Sequence, residues 1–208
     1  GGASTRIQYL DLGFCMGCGT GFGVPVAKFF GPNNLHKMRK YIFNGAVLTG
    51  IIALIVTIVC SVCCNQILHL LSVPQDIYDK AYAYLIVIFL GIPFTLMYNY
   101  LSSVLRSLGD SRTPFMFLAF SAILNIFLDL FCIVVLKWDC AGAAIATITA
   151  QAVSGILCLV YIFKKVQIMH LEAEDREIEG SAVKELLVMG IPTGLQFSIT
   201  AIGSMVMQ

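Results

Sequence analysis

Charge is the scarcest ingredient of this sequence: Asp, Glu, Lys and Arg make up 12% of its 208 residues, against about 25% in an ordinary soluble domain. The few charges sit in short clusters, so there is no charge-rich soluble domain. Histidine occurs three times and never in the interior of an apolar run, which removes the commonest general base and metal ligand from the hydrophobic part of the chain. No basic patch with interleaved aromatics is present, and the formal net charge is +1, so nucleic acid is not an expected partner. The first residues lack the basic start and short apolar core of a secretory signal peptide. The chain opens on Gly1 and stops at Gln208 inside an apolar run, and a fragment of a longer protein is expected.

Apolar side chains supply what charge does not. Hydrophobic residues make up 58% of the chain and the mean hydropathy is +0.86. The apolar runs are each close to the ~20 residues that a membrane-spanning helix needs. The expected fold is all-α, a polytopic transmembrane bundle of about six spans, with the lipid bilayer as its solvent. Eight cysteines include two C-x-x-C pairs, Cys15 with Cys18 and Cys60 with Cys63, with Cys64 adjacent. All lie in or at the ends of apolar runs, where cysteine acts as a small hydrophobe. Zinc prefers such spacings in loops with a built second shell, so neither a metal nor another cofactor is expected.

The first span covers residues 9–30, with Gly13, Gly17 and Gly21 at every fourth position, a face that lets another helix approach closely. No strand precedes these glycines, which argues against a nucleotide-binding loop. A basic loop follows, GPNNLHKMRKY, and then spans at about 42–64, 80–105, 114–136 and 141–163. Pro93 predicts a kink in the third, because it removes a backbone donor. Pro114 suits the first helical position of the fourth. Residues 164–184 are the longest polar stretch, and a last apolar run begins near 185. Alternating spans put Lys37, Arg39, Lys40, Arg106, Arg112, Lys164, Lys165, Arg176 and Lys184 on one side. Lys80, Lys137 and Arg6 fall on the other, so the first side is cytoplasmic.

Polar residues inside the spans are the functional candidates. Asn125 and Asp129 stand four apart, on one face of a helix. Counting from the short outer turn at 137–140, Asp129 and Thr147 lie about 10 Å below the outer surface, and Asn125 and Gln151 about 15 Å. A layered pocket of four oxygen-bearing side chains is expected, pairing Asp129 with Thr147 and Asn125 with Gln151. A carboxyl in hydrocarbon with no basic residue at its depth marks function by default. It holds a proton unless a cation takes its place, so H⁺ or Na⁺ is the expected occupant, with neutral oxygens as further ligands. Thr147, Gln151 and Asn125 also suit plain interhelical hydrogen bonding.

RSLGDSRTP after one span, NIFLD inside the next and AGAAIATITAQ opening the one after it resemble the multidrug and toxic compound extrusion (MATE) family of secondary transporters. GFGVPVAKFFGPNNLHKMRK and LLVMGIPTGLQ resemble the same family's second helix with its following loop, and the start of its seventh. The resemblance implies a twelve-helix transporter of two lobes, with helices two to six at 1–163, a cytoplasmic linker at 164–184 and part of helix seven at 185–208. It implies that Asn125, Asp129 and Thr147 form a cation site together with an acid on a helix before Gly1. Gln151 would belong to the same polar pocket. The implied function is a cation-coupled antiporter, not an enzyme, exporting amphipathic organic compounds across the cytoplasmic membrane as a monomer. Phe89, Phe94, Met97 and Tyr98 would then supply an adaptable apolar wall to the substrate cavity, or simply pack the helix. A flippase for lipid-linked saccharides is the nearest competitor, and it would need cationic side chains at depth. A membrane enzyme would need a second acid or base. A non-transporting scaffold is the remaining reading.

Overall fold

The computed structural model describes residues 2–207, the side chains of 205 and 206 excepted. Helix α1 spans Gly2–Phe30, α2 Leu35–Val62, α3 Cys64–Leu70, α4 Tyr78–Leu90, α5 Ile92–Ser107, α6 Arg112–Leu130, α7 Cys140–Lys165 and α8 Gly180–Val206. Five of these are long and apolar enough to cross a membrane. The broken pair α4 and α5 makes a sixth span, bent by 44°. The bend falls at Gly91, where Pro93 has no N–H to give and Gly91 O accepts from both Phe94 and Thr95. This is the kink expected from Pro93.

The basic segment after α1 is helical rather than a loop. The Asn34 side chain accepts from the Lys37 N–H and caps α2, and Met38, Tyr41 and Ile42 turn their side chains into the core. Lys37, Arg39 and Lys40 thus ride on the first turns of α2. At the opposite end of the bundle α6 runs into a π-wound turn, Phe131–Val135. There Leu136 N–H reaches Phe131 O at 3.0 Å and Trp138 N–H reaches Cys132 O at 2.9 Å, which reverses the chain into α7.

Helix α1 is the hub, packed against α8 most extensively and also on α5, α2 and α4. Its glycines make this possible. A Cβ at Gly13 would lie 2.8 Å from Phe197 O, one at Gly17 2.6 Å from Gly194 Cα, and Gly21 meets Gly190 in the same way. The neighbour that the four-residue glycine spacing implied is therefore α8. Lipid-facing surfaces are plain on α2 and α6, where Leu54, Ile58, Phe115 and Phe127 are exposed.

The stretch between α7 and α8 is not a slack tether. Asp175 is wholly buried; one carboxyl oxygen lies 2.6 Å from His36 Nδ1, and the other accepts from Arg39 Nε and the Glu172 N–H, both at 2.9 Å. Asn44 donates to Lys40 O and Glu177 O and accepts from the Glu179 N–H at 3.0 Å. Lys40 pairs with Glu179 at 2.7 Å, Lys28 with Glu185 at 3.0 Å, and the Tyr41 hydroxyl donates to Glu185. Burial opposes the Asp175 charge, but the bonds from Glu172, Arg39 and His36 outweigh it and hold the carboxyl below its ordinary range.

Four outcomes are expected of the full-length protein. Gly17→Val drives a side chain into α8 and lowers the thermal midpoint, at a cost of about 1–3 kcal/mol. Gly50→Val, where nothing lies within 4 Å, leaves the midpoint unchanged; both are read by thermal unfolding in detergent. Asp175→Ala costs about 3 kcal/mol and exposes the 166–179 segment to limited proteolysis, because its partners lose a buried charge. In the unaltered protein the Asp175 contribution is intact at neutral pH and fades as pH falls through its depressed folded value, below 3.8, since the unfolded chain then binds more protons.

Candidate cation site

Asn125 and Asp129 project from α6 and Thr147 and Gln151 from α7, each pair one helical turn apart. The two helices pack closely along their length, and all four side chains are half-buried between them. Asn125 Nδ2 donates to Thr147 Oγ1 at 3.4 Å, while the Thr147 hydroxyl donates to Ala143 O within its own helix at 3.0 Å. Asn125 therefore meets Thr147, not Gln151 as the depth count predicted.

Three oxygens at this junction are buried and accept no hydrogen bond among the described residues: Asn125 Oδ1, Asp129 Oδ1 and Gln151 Oε1. No Lys, Arg or His forms an ion pair with Asp129. The Asn125–Thr147 bond is the interhelical hydrogen bond that plain packing provides, whereas these three acceptors have no donor among the described residues. Chemically, Asp129 offers a carboxylate and Asn125 and Gln151 neutral amide oxygens, the donor types that a hard monovalent cation accepts.

Two polar residues not singled out from the sequence lie on the helices beyond this junction. Tyr84 of α4 is within electrostatic reach of Asp129, and its hydroxyl donates to Gln8 Oε1 of α1. Asp11, also on α1, hydrogen-bonds with Cys15. An acid in an apolar run was there to be seen at Asp11, whereas nothing in the local sequence distinguishes Tyr84 from other helix tyrosines. Above the junction a cavity of about 570 Å³, lined among others by Ser4, Pro74, Lys80, Tyr84 and Ala143, opens at the outer end. Lys80 pairs with Asp139 at 3.3 Å there.

The residues suggested for a substrate wall divide. Phe89 and Tyr98 are buried in the helix packing at 2% and 5% exposure, and the Tyr98 hydroxyl donates to Pro114 O at 3.4 Å. The packing alternative is the one that fits them. Met97 lines a cavity of about 420 Å³ with Thr49, Tyr100 and Leu159, and Phe94 is exposed on the bundle surface.

The MatE family profile matches residues 1–131. The chain is 32% identical over 202 residues to the probable multidrug resistance protein YpnP of Bacillus subtilis (strain 168), covering 97% of this chain and 45% of that protein. In fold it matches the inward-facing conformation of a multidrug resistance MATE family transporter of the MOP superfamily, with a TM-score of 0.88 at 20% identity over 97% of this chain and 47% of that one. An outward-facing conformation of such a transporter matches with a TM-score of 0.89 at 20% identity over 98% and 46%. The chain spans about half the length of the relatives it matches. A bundle of six spans in this order, under a profile that runs from the first residue to the π turn, makes the chain a member of the MatE family.

Proposed function

We propose that this chain is the amino-terminal lobe of a cation-coupled multidrug exporter of the cytoplasmic membrane, with its ion site at Asp129, Asn125 and Thr147 and Gln151 completing the pocket. In this reading residues 1–163 form the lobe, 164–184 the inter-lobe linker and 185–208 the start of the second lobe. The observation that carries it is the trio of unpaired buried oxygens on Asn125, Asp129 and Gln151. Each such group left without a partner costs about 1–3 kcal/mol, and a proton or Na⁺ taken up at Asp129 offsets the part that falls on its carboxylate.

The mechanism follows from that occupancy. Export requires the ion to prefer one facing state, since a ligand shifts a conformational equilibrium only by its differential affinity. A cation arriving through the outer cavity beside Tyr84 neutralises Asp129, satisfies the amide oxygens and tightens α6 on α7. That change favours release of an amphipathic organic substrate to the outside, and loss of the ion to the cytoplasm resets the lobe. Within the described spans no Lys or Arg stands at the level of the site, which agrees with an organic cation or neutral drug better than with a pyrophosphate-linked lipid.

Ethidium efflux from proteoliposomes of the full-length protein, driven by an imposed H⁺ or Na⁺ gradient, tests this. Asp129→Asn is expected to lower gradient-driven efflux about tenfold or more while leaving folding intact, and Thr147→Val to weaken ion dependence with a smaller loss. Undiminished gradient-driven efflux in Asp129→Asn removes this residue from the coupling.

A further inference from the structure

Asp11 is the other carboxyl in the apolar interior, about 14 Å along α1 from its outer end. Its one hydrogen bond among the described residues is to a thiol: Cys15 Sγ donates to Asp11 Oδ1 across 3.5 Å. A thiol is a weak donor, and no Lys, Arg or His forms an ion pair with Asp11. Its own helix adds Cys18, and α2 brings Cys60 within electrostatic reach. Beyond Glu185, α8 carries no charged side chain, and α5 has no titratable group before Tyr98. Among the described residues Arg6 on α1 and Lys80 on α4 are basic side chains of the same end, neither pairs with Asp11, and an unpaired carboxyl in such surroundings is costly.

Asp11 is also connected. Gln8 lies three residues earlier on α1, on the same face one turn toward the outside. Gln8 Oε1 accepts from the Tyr84 hydroxyl of α4, and Tyr84 stands within electrostatic reach of Asp129. A single tyrosine thus bridges the surroundings of the two intramembrane acids, one on α1 and one on α6. The donor set around Asp11 selects the ion. A carboxyl with a soft thiol beside it is poor material for Na⁺, and among the described residues no group of three or more His, Cys, Asp or Glu side chains is placed to hold a metal.

We propose that Asp11 is a second proton-accepting carboxyl of this lobe, joined to the Asp129 site through Gln8 and Tyr84. Loading of Asp129 is then felt at Asp11, and the lobe has two exchangeable ion positions in its outer half. This rests on the reading of Asp129 as an ion site, but it is tested by a readout other than transport.

Dicyclohexylcarbodiimide modifies protonated carboxyls in apolar surroundings, and mass spectrometry of the full-length protein in liposomes reports the labelling rate at each acid. Asp11 and Asp129 are both expected to be labelled. Asp129→Asn is expected to change the rate at Asp11 at least about twofold, and Tyr84→Phe, which keeps both acids, to abolish that response, as a double-mutant cycle requires of coupled groups. Gln8→Leu cuts the same bridge from the α1 side and is expected to act as Tyr84→Phe does. An unlabelled Asp11, or an Asp11 rate indifferent to Asp129→Asn, to Tyr84→Phe and to Gln8→Leu, overturns the proposal. Retained gradient-driven ethidium efflux in Asp129→Asn would instead count against the Asp129 site, and the labelling pattern separates the two failures.

Discussion

An oxygen lone pair with no donor is among the least tolerable things a helix can carry into hydrocarbon, because no water is there to replace the missing bond. Three such oxygens lie along the junction between α6 and α7. At about 1–3 kcal/mol each, their combined cost rivals the whole stability of many small domains. A sequence built only for packing would have placed leucine or alanine here. The polar junction becomes reasonable when the site is regarded as half of a complex whose other half is an ion.

The rest of the fold positions that junction. Glycines along α1 bring the α8 backbone close enough that a methyl group would collide with it, so the central helix is held by shape rather than by charge. At the end that carries residues 166–179 the means are electrostatic. The buried Asp175, gripped by His36, Arg39 and the Glu172 N–H, matters more there than the Lys28–Glu185 pair. That lysine is 59% exposed, and a solvated pair of this kind contributes about 1 kcal/mol at most. The bend at Gly91 lets α4 lean toward α1 at the outer end, where the Tyr84 hydroxyl reaches Gln8.

Much of this was legible in the residues themselves, for definable reasons. Six spans follow from apolar runs separated by charge, and the bend follows from Pro93, because both are local consequences of side-chain chemistry. Asn125 and Asp129 declare themselves by their spacing inside hydrocarbon. The pairing of Asn125 with Thr147 did not, since the relative depth of two packed helices is a tertiary property that no local pattern marks. The basic segment before Tyr41 read as a loop because its charges masked the Asn34 cap and the inward-facing Met38 and Ile42. Tyr98, offered as either wall or packing, is buried and donates to Pro114 O, an interhelical contact that only the folded chain reveals. The α1–Tyr84 connection is tertiary in the same sense, and it is the reason Asp11 acquires meaning in three dimensions.

The central claim is that Asp129 carries an exchangeable ion. Infrared difference spectroscopy of the full-length protein in sodium-free lipid, stepped from alkaline to acidic pH, tests it most directly. A protonated-carboxyl C=O band that appears on acidification, is missing in Asp129→Asn and is unaffected by Asp175→Asn is the predicted result. A spectrum in which the Asp129→Asn protein shows every carboxyl band of the unaltered protein would contradict it.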